Sequence, residues 1–296
     1  MVSIKIIMPS CGIKSKVEEQ TITDGVNLLT SWGMQVSMPE HIWHNEDVTT
    51  MDARREQSLL HNAGFEVLMA LRGGYGASRL LHTKTDQPWI LEGQRLVGYS
   101  DVTSLFGYAA QQGAQVAHGP TLSTLSLEPN WSQARMRLWL EAKPLEFIQG
   151  IGIKSGVGHG KLWAGNLTVL CHLLGTPYMP DLNQALLVCE DINEPLYKID
   201  RLLNHLRLAG ALDKLSGLGL GRFDRNQDPS LHHEIESLVL KHVNQCDFPV
   251  VSRLPMGHGC LSNAVMPLNQ AATIDGSRGL VTINQEEPTQ TIVCSQ

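Results

Sequence analysis

The chain has 296 residues, 42% hydrophobic and 18% charged, with a formal net charge of −6. That length buries a sizeable core and suits two domains. The acidic balance, with no Lys/Arg stretch interleaved with aromatics, argues against nucleic acid as a partner. No apolar run reaches the ~18 residues that a membrane-crossing helix needs. The N-terminal segment Met1 to Ser10 is too short in its apolar run to be a signal peptide, and Lys5 interrupts it. The expectation is therefore a soluble cytoplasmic protein. The six cysteines (Cys11, Cys171, Cys189, Cys246, Cys260 and Cys294) form no C-x-x-C pair or other zinc spacing. They read as reduced core residues, and no metal or cofactor is expected.

In chain order, Ile4 to Met8 reads as a strand and Pro9 to Gly12 as the turn leaving it. Apolar residues at helical spacing run from Val17 to Trp32, and Met34 to Met38 resembles a second strand. Asp52 to Asn62 is an amphipathic helix, and Phe65 to Leu71 a third strand. This β-α-β-α-β alternation predicts a parallel sheet covered by helices. The third strand runs into Arg72-Gly-Gly-Tyr-Gly76, whose glycines let backbone approach a ligand closely. The spacing fits neither G-x-G-x-x-G nor a P-loop.

The short strand from Arg95 leads to Gly98-Tyr-Ser-Asp101, and Val102 to Gln112 reads as a helix. A serine at such a junction is either a helix N-cap or a nucleophile on a sharp elbow, with backbone N–H groups of the helix start beside it. The position two beyond the serine is Val102, where elbows usually carry Gly. Ligands of open α/β sheets bind beyond the strand C-termini, so the Arg72 and Ser100 turns fall at one edge. His118 follows in Val116-Ala-His-Gly-Pro120, as a turn residue or a base.

Glycines at 150, 152, 156, 158 and 160 change the texture of the chain and predict a linker over 149–160. It divides an N-terminal α/β domain, 1–148, from a C-terminal domain, 161–296. Asn166 would cap a buried helix over Leu167 to Leu174. Ala185 to Cys189 is a buried strand ending at Glu190-Asp-Ile-Asn-Glu194. Ile199, Leu202, Leu203 and Leu206 mark one face of a helix that stops at Gly210. Leu215 to Phe223 is a strand, and Leu231 to Val243 a helix whose histidines (His232, His233, His242) suit a solvated face better than a metal. Phe248 to Ser252 is a strand that precedes Gly257-His258-Gly259. Short runs at 271–274 and 279–283 predict a small β-rich region.

Ser100, Glu190 and His258 each sit at an element end, in the order nucleophile, acid, base. A serine hydroxyl needs a base to take its proton, and the base needs a carboxylate to fix its tautomer. Spacing alone does not bring the three together.

A compound pattern does more. Arg72-Gly-Gly-Tyr-Gly-Ala-Ser-Arg-Leu-Leu81, Gly98-Tyr-Ser-Asp-Val-Thr103, Leu162-Trp-Ala-Gly-Asn-Leu167, Gly175-Thr-Pro177, Cys189-Glu-Asp-Ile-Asn-Glu194 and Gly257-His258, in this order, resemble the LD-carboxypeptidase family of serine peptidases. The family includes muramoyl-tetrapeptide carboxypeptidase and the microcin C self-immunity proteins. The resemblance implies a flavodoxin-like N-terminal domain with a parallel sheet, a smaller β-rich C-terminal domain, and an active site in the cleft between them. It implies Ser100 as nucleophile, Glu190 as triad acid and His258 as base. The oxyanion hole would come from backbone N–H groups of Asp101 and Gly74. Arg72, Tyr75, Trp163 and Asn166 are implied as substrate-binding, with Arg72 or Arg79 holding the substrate carboxylate. The implied reaction releases terminal D-alanine from cytoplasmic peptidoglycan tetrapeptides in wall recycling, and the implied partners are the muropeptide and a second copy in a homodimer. The sequence departs from the family's usual Ala-Pro-Ser-Gly turn with Met8-Pro-Ser-Cys-Gly12, and carries Asn269 where Gly is common. An immunity-type hydrolase of peptidyl- or aminoacyl-nucleotides keeps the chemistry and changes the substrate. A muropeptide-binding protein with a vestigial triad and a cysteine enzyme using Cys189 or Cys260 are the remaining alternatives.

Overall fold

The computed structural model describes residues 1–13, 15–40, 48–82, 88–224, 230–258 and 262–284. The first half opens with β1 (Ser3–Ile7), α1 (Lys16–Ser31), β2 (Gln35–Ser37), α2 (Val48–Ser58) and β3 (Val67–Ala70). It continues with β4 (Arg95–Gly98), α3 (Thr103–Gln111), β5 (Gln115–His118), α4 (Leu122–Leu125) and α5 (Asn130–Leu140). Then follow β6 (Ile148–Gln149), β7 (Ile151–Lys154), β8 (Val157–Asn166), α6 (Leu167–Leu173), β9 (Leu186–Ile192) and α7 (Leu196–Leu208). The chain closes with β10 (Gly217–Asp224), α8 (Ser230–His242), β11 (Val250–Ser252), β12 (Met266–Leu268), β13 (Ala271–Asp275) and β14 (Leu280–Ile283).

The strands form two sheets, each with helices against it, in a two-domain α/β architecture. The first runs β12-β5-β4-β3-β1-β2. Its five strands from the N-terminal half are parallel, in the flavodoxin-like order. β3 and β4 are buried at every position, as strands covered on both faces must be. The second sheet runs β6-β14-β13-β8-β9-β10-β11-β7. Its middle strands β8 to β11 are parallel, and β13, β14 and β6 extend it antiparallel; β13 and β14 are the short runs at 271–274 and 279–283. α4 and α5 have no counterpart in the pattern reading, and Arg135 and Arg95 are buried beside α5 by capping backbone carbonyls.

Two expectations about organisation are corrected. The 149–160 stretch is not a linker, because it forms β6, β7 and the start of β8 within the second sheet. Its glycines are there for close packing. A side chain at Gly152, Gly158 or Gly160 would meet a backbone carbonyl oxygen at 1.8, 1.9 and 2.1 Å. The division at 161 is also crossed, since β12 returns to the first sheet and pairs antiparallel with β5, Met266 opposite His118. Asn269, leaving β12, has φ +56, a left-handed conformation that Asn tolerates where Gly is the usual choice.

Candidate active site

The parallel registers bring strand C-termini to a common edge. Gly98 at the end of β4 lies opposite His118 at the end of β5, and Asn166 at the end of β8 opposite Glu190 in β9. The turn after β4 is sharp. Ser100 has φ +61, in the left-handed region that a non-glycine residue enters only with strain. Its side chain caps no helix. The first helical turn begins at Ser100 itself, with Tyr99 before it in extended conformation. The geometry is therefore that of an elbow, not of an N-cap, whose φ lies in the extended region.

Neighbouring elements hold the elbow. A Cβ at Gly73 would fall 2.9 Å from the Ser100 Cβ and 3.2 Å from its Oγ, so only glycine lets that backbone lie against the serine. Asp101 turns inward and accepts the Ala77 N–H at 2.8 Å, tying the Ser100 turn to the glycine turn. Gly74, at φ +127, packs instead on Cys11, whose sulfur accepts the Tyr75 N–H at 3.2 Å. From the second sheet, the Asn166 N–H donates to Thr103 Oγ1 at 3.1 Å, and Gly165 lies against the Thr103 side chain. Thr103 opens α3, so the two sheets meet at the elbow.

Glu190 and His258 form one unit. The His258 ring nitrogen Nδ1 lies 2.7 Å from Glu190 Oε2, and the His258 backbone N–H donates to the same oxygen at 3.3 Å. Glu190 has no solvent exposure. Gly257, at φ +121, brings the loop so close that a Cβ there would lie 2.9 Å from the Glu190 side chain. Burial acts to raise the Glu190 pKa. The His258 charge and hydrogen bond more than offset it and hold the carboxyl below its ordinary range. Tyr99 bridges to the serine's side, its ring centroid 4.9 Å from that of His258. Burial pushes the Tyr99 phenol up to about 12, so it stays neutral.

The adjacent acid plays a different part. Asp191 accepts from Asn166 Nδ2, the Thr168 N–H and hydroxyl, and the Ile192 N–H, at 2.8–3.0 Å. Burial raises its pKa, and it anchors the start of α6.

The sequence-predicted residues divide accordingly. Two substrate-binding expectations are corrected. Trp163 is 5% exposed and packs in the core. Asn166 is also buried and spends its amide on structure: Oδ1 caps α6 through the Val169 N–H, and Nδ2 holds Asp191. Arg79 is committed to Asp52 with bonds of 2.7 and 2.8 Å. Arg72 donates to the Gly12 carbonyl at 2.7 Å and pairs with Glu18 at 2.6 Å. Tyr75 is exposed beside the glycine turn. Cys189 is inert, because burial drives its thiol well above the usual range. Cys260 lies outside the described residues. His242 is paired with Asp200 at 2.8 Å and His233 with Glu236 at 3.5 Å. Among the described residues no group of three or more His, Cys, Asp or Glu could hold a metal ion, and no helix is long and apolar enough to cross a membrane.

A strained serine at a strand-to-helix elbow, two sheets meeting there, and a buried carboxylate on a histidine define a hydrolase-type site on a two-domain α/β frame. Known proteins make the class specific. Residues 4–119 match the LD-carboxypeptidase N-terminal domain, and residues 159–274 its C-terminal domain. The chain is 34% identical, over 288 residues, to a provisionally named carboxypeptidase of Synechocystis sp., covering 94% of this chain and 93% of that one. The muramoyltetrapeptide carboxypeptidase structure from Oxalobacter formigenes superposes with a TM-score of 0.76 at 25% identity, over 97% of this chain and 100% of that chain. An MccF-like protein from Streptococcus pneumoniae, solved with AMP, shares the fold with a TM-score of 0.82 at 16% identity, over 96% and 98% of the two chains. The chain belongs to the LD-carboxypeptidase family, the S66 serine carboxypeptidases.

Proposed function

We propose that this chain is a serine LD-carboxypeptidase that releases the terminal D-alanine of peptidoglycan tetrapeptides in the cytoplasm, using Ser100, His258 and Glu190. The observation that carries the reading is the buried 2.7 Å Glu190–His258 contact, and the strained Ser100 elbow supports it. His258 takes the proton of Ser100 as the hydroxyl attacks the scissile carbonyl. Glu190 holds Nδ1 and stabilises the imidazolium as it forms. The backbone N–H of Asp101 and those of the Gly73-Gly74 turn receive the oxyanion. His258 then protonates the leaving D-alanine, and water attacks the acyl-enzyme by the same route in reverse. Arg72 and Tyr75, flanking the glycine turn, are the substrate contacts of this reading.

Ser100→Ala and His258→Ala should each lower kcat on a tetrapeptide ending in D-Ala by ~10³-fold or more, and the double variant by little further, because the residues act as a unit. A serine-directed phosphonate should label Ser100. Near-full activity in both single variants would sink the triad, and turnover of an aminoacyl-nucleotide in place of the tetrapeptide would sink the substrate.

A further inference from the structure

Beneath the glycine turn lies a buried cation. Arg55, on α2, is 1% exposed and ranks among the largest fully buried side chains of the protein. Its guanidinium joins three segments. Nε donates to the Ser10 carbonyl at 3.0 Å, in the turn after β1. Nη1 donates to Asp52 Oδ1 at 2.6 Å, one turn earlier on the same helix. Nη2 donates to the Tyr75 carbonyl at 3.3 Å, inside the glycine turn. The fit is close, since a Cβ on Gly76 would run into the guanidinium. Arg79 holds the outer side of Asp52, so one carboxylate is shared between a buried and a half-exposed arginine.

Taking a charge out of water costs a fold more than an apolar side chain of similar size would. The bonds show what is gained. Arg55 holds the Tyr75 carbonyl, and Cys11 Sγ takes the Tyr75 N–H at 3.2 Å. Asp101 takes the Ala77 N–H at 2.8 Å. Upstream, the Leu71 N–H donates to the Ile7 carbonyl, and Arg72 is tied to Gly12 and Glu18. Both ends of the turn are therefore fixed, and Gly73-Gly74 is the short span between them. Among the described residues no hydrogen bond takes the N–H of either glycine, and Gly73 lies against Ser100.

We propose that Arg55 is a positioning residue for the oxyanion: through the Tyr75 carbonyl it sets the orientation in which the Gly73 and Gly74 N–H groups meet the reacting carbonyl. The proposal rests on the reading of Ser100 as the nucleophile. Oxyanion donors contribute most when they are aimed before the reaction starts. A two-glycine span has no side chain to hold it and the widest conformational freedom, so its direction comes from the anchors on either side. The guanidinium suits that task, because its planar fork serves several acceptors at fixed angles where a lysine ammonium is a point charge on a flexible stem.

The test compares Arg55→Met and Arg55→Lys with wild type and with Ser100→Ala on a D-Ala-terminated tetrapeptide, under conditions where urea unfolding shows each protein fully folded. Arg55→Met keeps an unbranched side chain and removes every donor. Its kcat should fall about 30- to 100-fold, less than the loss of an oxyanion donor itself. KM should stay within about twofold, because oxyanion contacts are made in the transition state. The rate at which a serine-directed phosphonate labels Ser100 should fall with kcat, since the phosphonyl oxygen sits where the oxyanion would. Arg55→Lys, one ammonium in place of the fork, should recover part of the loss and stay about 5- to 10-fold below wild type. An Arg55 that serves stability alone would give weaker folds whose folded molecules keep wild-type kcat and labelling rate. That result, or a loss carried by KM, with Ser100→Ala inactive, would overturn this inference and leave the nucleophile standing. Should Arg55→Met fail to fold, wild-type kcat in a folded Arg55→Lys would overturn it equally. Activity retained by Ser100→Ala would overturn the nucleophile itself.

Discussion

Ser100 should be a residue at which glycine gives a more stable protein than alanine. Its φ of +61 places an L-residue in a conformation that costs ~1–2 kcal/mol, whereas glycine adopts it freely. Glycine also loses ~0.5–1 kcal/mol of extra chain entropy on folding. Ser100→Gly should therefore be more stable than Ser100→Ala by ~0.5–1 kcal/mol. Alanine is the proper reference because it deletes the hydroxyl and keeps both the Cβ and the strain. The Cβ that glycine removes faces Gly73, where little side-chain packing is lost. Urea unfolding at pH 7 reads the difference as a higher midpoint at unchanged slope. Both variants should be inactive on tetrapeptide, so the strain is read apart from activity. A Ser100→Gly protein no more stable than Ser100→Ala, at equal slope, would show that the elbow stores no strain and would remove the main reason for distinguishing it from a helix cap.

Gly257→Ala should fold and lose most activity, because the added Cβ falls 2.9 Å from Glu190 Oε2 at φ +121; wild-type kcat in a folded variant would refute the close packing of that loop. Stability should also fall in acid through His118. The unfolded chain takes up a proton near 6.5 that the folded state refuses until about 4, so stability is complete above pH 6.5 and declines toward pH 4. At about 1.36 kcal/mol per pH step the loss is ~3 kcal/mol. It is measured as the pH dependence of urea unfolding in wild type minus that in His118→Phe, and parallel curves would refute it.

The alternation of Ile4–Met8, Phe65–Leu71 and Arg95–Val97 with amphipathic helices made the first sheet legible, because strands buried on both faces must be continuously apolar. The second sheet was legible strand by strand in Ala185–Cys189 and Leu215–Phe223, but not in β6 to β8. There Gly150, Gly152, Gly158 and Gly160, which suggest a flexible link, are demanded by backbone carbonyls less than about 2.5 Å from where a Cβ would be, a tertiary fact that no local pattern carries. The return of β12 to the first sheet was hidden for the same reason. Ser100, Glu190 and His258 stood out singly, but spacing could not bring them together. Residue pattern alone did not separate Glu190 from Asp191; the family resemblance chose Glu190, and the structure shows Asp191 filled by Asn166, Thr168 and Ile192. Trp163 and Asn166 misled because a sequence motif does not distinguish a residue that builds a site from one that touches a substrate. The available signal for His118 was its place two residues short of a proline at the end of an apolar run, which says only that a strand ends there.

The pairing of β12 with β5 has a consequence for the order in which the protein comes into being. A ribosome that has delivered the serine, its elbow and the glycine turn has still to make about half of the chain before Met266 can lie against His118. Until then β5 is a bare sheet edge, and His258 is made only eight residues before Met266. The nascent polypeptide therefore carries a serine with nothing to activate it, and the exposed edge is the segment that a chaperone or a misdirected strand would find first. Closing that edge and completing the proposed triad fall to the same late stretch of chain, so on that reading the enzyme arms itself only as it seals itself.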